Sequence, residues 1–284
     1  MSVARFQKTL AGNIAVRGIG LHSGKTSRVV LSPSAVGSGV RIFGKGGRGG
    51  RVETLAHAPS KRCSAVFAGA DKVDMVEHLL AAVAVCRLTN VDIQVDGPEV
   101  PILDGSALPW LRLVEAAGTV VQPAPETRLA VTRPFAFSHG SSSYLAVPGR
   151  RRVAVRIEYP GTPIGSQEAE ADESGFRWLA EARTFALKSE IDALMDAGLA
   201  AGGSLDNALV VAEKGPLNPG GYRFENECAM HKALDLLGDM MLSGHAVDGA
   251  ICSLRPGHEA NRAFMAAMAA AGAVTWPMEP AAAA

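Results

Sequence analysis

Residues 228–243, Cys-Ala-Met-His-Lys-Ala-Leu-Asp-Leu-Leu-Gly-Asp-Met-Met-Leu-Ser, carry the tightest constraint in the chain. Read as a helix, the stretch places His231, Asp235 and Asp239 four residues apart, on one narrow stripe. Leu234, Leu237 and Met241 form a neighbouring apolar stripe, which gives the helix a side to bury. An imidazole and a carboxylate one turn apart can grip one divalent cation from the same side. They supply two ligands, and a zinc site needs a third from elsewhere. The fold must therefore bring a second ligand-bearing element to this helix.

A chain of 284 residues is long enough for two domains of ordinary size. Its formal net charge is zero, which argues against a nucleic-acid partner, since such a partner wants a strongly basic face. Residues 1–12 hold no apolar core of the kind a signal peptide needs. The longest apolar run, 263–274, is too short and too alanine-rich to span a bilayer. Cys63, Cys86, Cys228 and Cys252 are scattered with no C-x-x-C pair and read as reduced thiols of a cytoplasmic protein. Histidine and carboxylate are then the metal ligands to look for.

The first segment, residues 6–16, reads as a hairpin turning at Gly12 and Asn13. In Arg17-Gly-Ile-Gly-Leu-His-Ser-Gly-Lys25, three glycines surround His22. A glycine turn between strands accounts for them; so does a backbone brought close to a polar ligand beside His22 and Lys25. The stretch 44–51 reads as a solvated glycine loop. Residues 74–86 read as a helix in which Asp74 and Glu77 have capping-box spacing. A second helix opens after Ser106 and ends near Gly118. Residues 121–125, Val-Gln-Pro-Ala-Pro, are the best candidate for a linker.

After that linker the order of elements starts again, and helix, strand, glycine turn and helix occur in both halves. The expected fold class is α+β: a two-domain internal repeat over 1–122 and 126–284, each domain a β-sheet packed against helices. The second half carries an insertion around 181–212, with an amphipathic helix at 188–197 that includes Ile191. Small residues follow at 200–203. They fit a tightly packed unit or, equally, room left for a long apolar ligand.

The Glu77-His78 pair is the natural partner for His231 and Asp235. Two histidines and one aspartate leave a fourth coordination position open to water, the catalytic arrangement. Zinc fits best, with iron and manganese the other candidates. Glu77, beside a ligand, can take a proton from water as the glutamate does in H-E-x-x-H, although that motif is absent. Amide hydrolysis also needs an acid for the leaving amine, and His258 on its glycine turn is the best candidate. Asp239 could orient His258, and Lys232 and Thr184 could donate to a developing oxyanion.

Gly18-Ile-Gly-Leu-His-Ser-Gly-Lys25, Val76-Glu-His-Leu79, residues 98–106, Ala182-Arg-Thr-Phe185, Gly202-Gly-Ser204 with Asp206-Asn-Ala208, His231-Lys-Ala-Leu-Asp-Leu-Leu-Gly-Asp239 and Gly257-His258 occur in this order. In these blocks, which run over nearly the whole chain, the sequence resembles the UDP-3-O-acyl-N-acetylglucosamine deacetylases. These are zinc amidases that commit sugar nucleotide to lipid A, the anchor of the Gram-negative outer membrane.

The resemblance implies two domains of shared topology that clasp the active site, with a β insert in the first and a βαβ insert in the second. It implies a cytoplasmic, monomeric hydrolase of lipid metabolism acting on a sugar-nucleotide acyl substrate. Zinc would be held by His78, His231 and Asp235, with Glu77 as base, His258 as acid, Asp239 as its partner, and Thr184 and Lys232 at the substrate or oxyanion. Phe185, Ile191, Ala200, Gly203 and Ser204 would line the passage for the acyl chain. His22 would lie near the substrate, and Tyr159 would stand where the family usually has a phenylalanine near the nucleotide. The sequence departs from the family at 157–163, at Met75 and at Ala200, and its tail at 280–284 is expected to be disordered.

Overall fold

The structure is a computed structural model that describes residues 5–60 and 62–275; the expected tail at 280–284 lies outside the described residues. Among the described residues are several β-sheets and six helices: α1 (Glu77–Cys86), α2 (Leu108–Ala117), α3 (Phe176–Leu179), α4 (Lys188–Asp196), α5 (Glu227–Met240) and α6 (His258–Ala270). This is the mixed α+β content expected from the sequence.

Two of the sheets have five strands each. Across the first, the order is Ile14–Ile19, Thr26–Pro33, Val91–Asp96, Val40–Phe43, Gly49–Arg51. Across the second it is Phe135–His139, Ser142–Val147, Ala250–Leu254, Arg152–Tyr159, Gly165–Asp172. Both sheets follow one pattern of directions: neighbours are antiparallel except for a single parallel pair, third with fourth. A parallel pair cannot be closed by a tight turn and needs a crossover. The first crossover carries α1 and the second carries α5, and α2 and α6 follow the central strands.

Each sheet buries one face. Val29 and Leu31 stand opposite Val95 and Ile93, and Val153 stands opposite Ile251, all buried. The alternation of period two puts these on one side and polar residues on the other. The helices cover the buried faces and meet between them. α1 buries every residue from Glu77 to Ala84, and α5 buries all but Lys232. Helices buried on all sides must accept polar residues only where these find partners, so the carboxylates and imidazoles on them are a signal in themselves.

α1 packs directly on α5. A Cβ on Gly238 would stand 2.1 Å from the Glu77 carbonyl oxygen, so glycine alone lets the start of α1 seat against the last turn of α5. Glycine in a helix interior costs about 1 kcal/mol relative to alanine. Here that cost is exchanged for bringing Glu77 and His78 alongside the His231-Asp235 stripe.

Four local expectations are corrected. Phe6–Leu10 and Ile14–Ile19 are not a hairpin: the former pairs with Thr119–Pro125, the latter with Thr26–Pro33. The expected linker at 121–125 is thus a paired strand, because its β-branched residues have a partner available at the N-terminus. The stretch 44–51 is solvent-exposed over 45–49, as expected, but forms the turn and second strand of a hairpin with Val40–Phe43 rather than a loop. The capping box does not form. Asp74 ends a strand, Met75 turns the chain with φ 62°, and α1 begins at Glu77 with no side-chain cap. Gly165–Asp172 and α3 had no clear sequence signal; the strand is a polar edge strand with few apolar alternations to betray it.

Candidate active site

The site forms where α1, α5 and α6 meet. His78 Nε2 lies 3.7 Å from Asp235 Oδ1, and His231 Nε2 lies 3.3 Å from the same oxygen. One ligand atom from each of the three residues can be chosen so that all lie within 4.8 Å of one another, and all three residues are buried. The His231 Nδ1–H donates to the Ala182 carbonyl at 3.1 Å, which turns the Nε2 lone pair toward the gap. Burial pushes His231 down to about 3, so the ring is neutral. A lone pair therefore faces a carboxylate oxygen that has no hydrogen-bond partner of its own. Two acceptors held this close in a dry interior repel unless a cation lies between them. Tetrahedral zinc ligands at 2.0–2.2 Å stand about 3.4 Å apart, close to the observed separations. These residues fit a divalent cation.

The rest of the site is arranged around that gap. Burial raises the Asp235 carboxyl, but the Lys232 ammonium and the His258 imidazolium outweigh it and hold it well below the usual range. Lys232 Nζ donates to Asp235 Oδ2 at 2.9 Å and lies 5.7 Å from the Phe185 ring centroid. Glu77 is 1% exposed, and burial pushes it up to about 7. The Ser64 N–H donates to its Oε2 at 2.9 Å. His258 opens α6, and its Nε2 lies 3.8 Å from Glu77 Oε1. Burial alone would lower it, yet the carboxylates of Asp239, Glu77 and Asp235 raise it to about 9. Asp239 stands behind it, 3.0 Å from Nδ1. A buried carboxylate near neutrality beside a buried imidazolium is the pairing that proton transfer requires.

Left-handed backbone at non-glycine residues costs of order 1–3 kcal/mol and gathers at functional sites. Here Met75 precedes Glu77 by two residues, and Arg255 (φ 50°) precedes His258 by three. Each turns the chain so that the following helix starts at the gap.

The Ala182-Arg-Thr-Phe185 stretch is fixed by a buried ion pair. Arg183 Nε and Nη2 donate to the two oxygens of Glu227, at 2.8 and 3.0 Å, at the first residue of α5. This pins Ala182 O on His231 and leaves Thr184 and Phe185 facing the cavity.

A cavity of about 540 Å³ opens from the gap. Among the expected site residues, Glu77, His78, His231, Lys232, Asp235, His258 and Thr184 line its polar end. His22 and Tyr159 also line it, and both His22 ring nitrogens are buried without a partner. Phe185, Ile191, Ala200, Gly203 and Ser204 line it too, with Leu194 and Val210 adding apolar wall. Of the expected set, only Asp239 does not line the cavity.

The glycines around His22 serve close approach. The Glu99 carboxylate accepts from the His22 and Ser23 N–H groups at 2.9 Å, and a Cβ on Gly20 would stand 2.3 Å from Glu99 Oε2. The small residues at 200–203 divide between two uses. Ala200 and Gly203 border the cavity, while a Cβ on Gly202 would stand 2.2 Å from the Gly20 carbonyl oxygen. That segment docks on the His22 loop through the Ala201 and Gly202 N–H groups.

Sequence reasoning missed Ser64, Asn261 and the Ala182 carbonyl. A lone serine, a helical asparagine and a backbone oxygen have no spacing that marks them. All four cysteines are free, and burial pushes the thiols of Cys86 and Cys228 up to about 12, so neither offers a thiolate. Among the described residues no helix is long and apolar enough to cross a membrane.

A family model described as LpxC, UDP-3-O-acyl N-acetylglycosamine deacetylase, matches residues 7–270. The chain is similar to the UDP-3-O-acyl-N-acetylglucosamine deacetylase of Syntrophotalea carbinolica, 38% identical over 90% of this chain and 85% of that one. It is similar to the protein of the same name from an Anaeromyxobacter species, 36% identical over 91% and 87%, and to that of Thermosynechococcus vestitus, 39% identical over 85% and 86%. The residues gathered at the gap, the match over nearly the full chain and the shared length of these relatives place this chain in the UDP-3-O-acyl N-acetylglycosamine deacetylase family.

Proposed function

We infer that this chain is a hydrolase that removes the acetyl group of UDP-3-O-(3-hydroxyacyl)-N-acetylglucosamine, releasing acetate and the free amine, a committed step of lipid A biosynthesis. The observation that carries the reading is the joining of three converging metal-ligand atoms, a buried carboxylate and a buried imidazolium to one cavity with an apolar extension. A polar reaction centre beside an apolar channel suits a sugar nucleotide that bears an acyl chain.

His78, His231 and Asp235 would hold the metal, and their nitrogen and oxygen donors favour zinc. Zinc there would polarise the acetamide carbonyl and bring a water's pKa to about 7. Glu77 takes the proton of the attacking water as its oxygen bonds to the acetyl carbon. Lys232 and Thr184 donate to the carbonyl oxygen as charge gathers on it. His258 then gives its Nε2 proton to the sugar nitrogen, so that the C–N bond breaks to an amine rather than an amide anion. Asp239 keeps His258 charged and aimed.

Phe185, Ile191, Ala200, Gly203 and Ser204 would receive the acyl chain. His22, with two unpartnered nitrogens, would meet a polar part of the substrate, and Tyr159 would lie near the nucleotide. The matching strand orders of the two sheets support two repeated α+β domains, 1–122 and 126–284. The glycine-rich segment would be the β insert of the first. The parallel strands Phe185–Leu187 and Leu209–Ala212 around α4 would be the βαβ insert of the second. A monomeric, cytoplasmic enzyme belongs to the same proposal.

The test is acetate release from acylated and unacylated UDP-N-acetylglucosamine, with metal content measured on the same sample. The acylated substrate should turn over, a chelator should abolish the rate together with the bound zinc, and added zinc should restore both. Equal rates on the two substrates would mean that the apolar passage does not read an acyl chain.

A further inference from the structure

The Asp239 carboxylate is buried and held on both oxygens. Its Oδ2 accepts from His258 Nδ1 at 3.0 Å and from Asn261 Nδ2 at 2.7 Å, and its Oδ1 accepts from Ser64 Oγ. The Asn261 amide has one orientation, because its Oδ1 accepts from the Tyr144 hydroxyl at 2.6 Å. Tyr144 is itself stacked on Phe264, with ring centroids 4.7 Å apart. Ser64 is fully buried, at 0% exposure. Arg262 Nη1 donates to its Oγ at 3.3 Å, which directs the serine proton to Asp239. The N–H of the same serine donates to Glu77 Oε2 at 2.9 Å.

We propose that Ser64 is a positioning residue shared by the two proton-transfer groups: its N–H fixes the Glu77 carboxylate, and its hydroxyl fixes the carboxylate that orients His258. The proposal rests on reading Glu77 as base and His258 as acid. A carboxylate anchored on one oxygen can rotate about its Cβ–Cγ bond; anchored on both, it cannot. Without the serine hydroxyl, Oδ1 is left buried and unpaired, and the carboxylate gains by turning toward another donor. His258 Nδ1 must then follow, and its Nε2 swings off the line to the scissile bond. A misplacement of about 1 Å at such a group is enough to cost about a hundredfold in rate.

Ser64→Ala removes Oγ alone, keeps the N–H to Glu77, and fits within the volume of the serine. It should lower kcat by roughly 10–100-fold, the usual range for a group that orients a ligand or catalytic residue, with KM and bound zinc unchanged. Because the hydroxyl acts through Asp239, the same substitution made in an Asp239→Ala background should give no further loss. An unchanged kcat in Ser64→Ala beside a crippled Asp239→Ala overturns this proposal and leaves the acid assignment standing. Losses that multiply in the double variant also overturn it, since Ser64 would then act by another route. An Asp239→Ala enzyme with the unmodified rate overturns both.

Discussion

At the residue scale, one environment lifts two titratable groups together. Glu77 and His258 lie 3.8 Å from each other, yet burial lifts the carboxyl to about 7 while three carboxylates lift the imidazole to about 9. Near neutral pH the pair can therefore hold an ionised base and a charged acid together. Glu77→Gln tests the first role, because the amide oxygen still accepts from Ser64 N–H while the group can no longer take a proton. The expected outcome is a kcat lower by about 10²–10⁴ with zinc retained; His258→Ala should do the same. Turnover by Glu77→Gln at the unmodified rate would remove Glu77 from the base role. The sequence exposed both residues, one by its adjacency to His78 and one by its glycine turn. It did not expose what holds them, since Ser64 lies 13 residues before Glu77 and 175 before Asp239.

At the element scale, the junction of α1 with α5 decides whether the candidate metal ligands meet. His231 and Asp235 share a helix, and helical spacing alone brings them within 3.3 Å. His78 arrives from another helix, and Gly238 sets how closely it comes. Gly238→Ala would gain about 1 kcal/mol in an isolated helix. In the protein its Cβ would press on the Glu77 carbonyl and force α1 outward. The variant should lose thermal stability, bind zinc at least tenfold more weakly, and lose activity in step with zinc. Unchanged zinc affinity, measured by competition with a chelator, would show that α1 has slack at this contact. The H-K-x-x-D-x-x-G-D pattern was legible as a ligand stripe, but the purpose of its glycine was not. A glycine in a sequence does not say which backbone it must admit.

At the scale of the whole molecule, a charged network ties together residues far apart in the sequence. Arg5 and Arg128 both donate to Glu173, at 2.9 Å each, and Arg128 also reaches Asp248 and Glu126, which in turn takes Arg87. Burial would raise Glu173, but these arginines hold it down at about 2, from an ordinary 4.5. A depressed carboxylate contributes stability that is fully present above its unfolded pKa and is lost as pH falls through its folded one. The unfolding temperature should therefore drop between about pH 4.5 and 2, and Glu173→Gln should flatten that part of the curve while lowering stability at pH 7. Parallel curves for the two proteins would exclude Glu173 as the source.

The sequence by itself determined which side chains are candidates to bind a cation and which are candidates to move protons. Those features are written in local spacing, where 3.6 residues per turn or an alternation of two fixes what faces what. Only the tertiary structure decided the placements that rest on long-range approach. It paired Phe6–Leu10 with Thr119–Pro125 where a hairpin and a linker were expected, and it set Gly238 on Glu77 and Gly202 on Gly20. It also turned a supposed helix cap into a buried carboxylate. Contacts of that kind depend on backbones meeting across many intervening residues, and no local period records them.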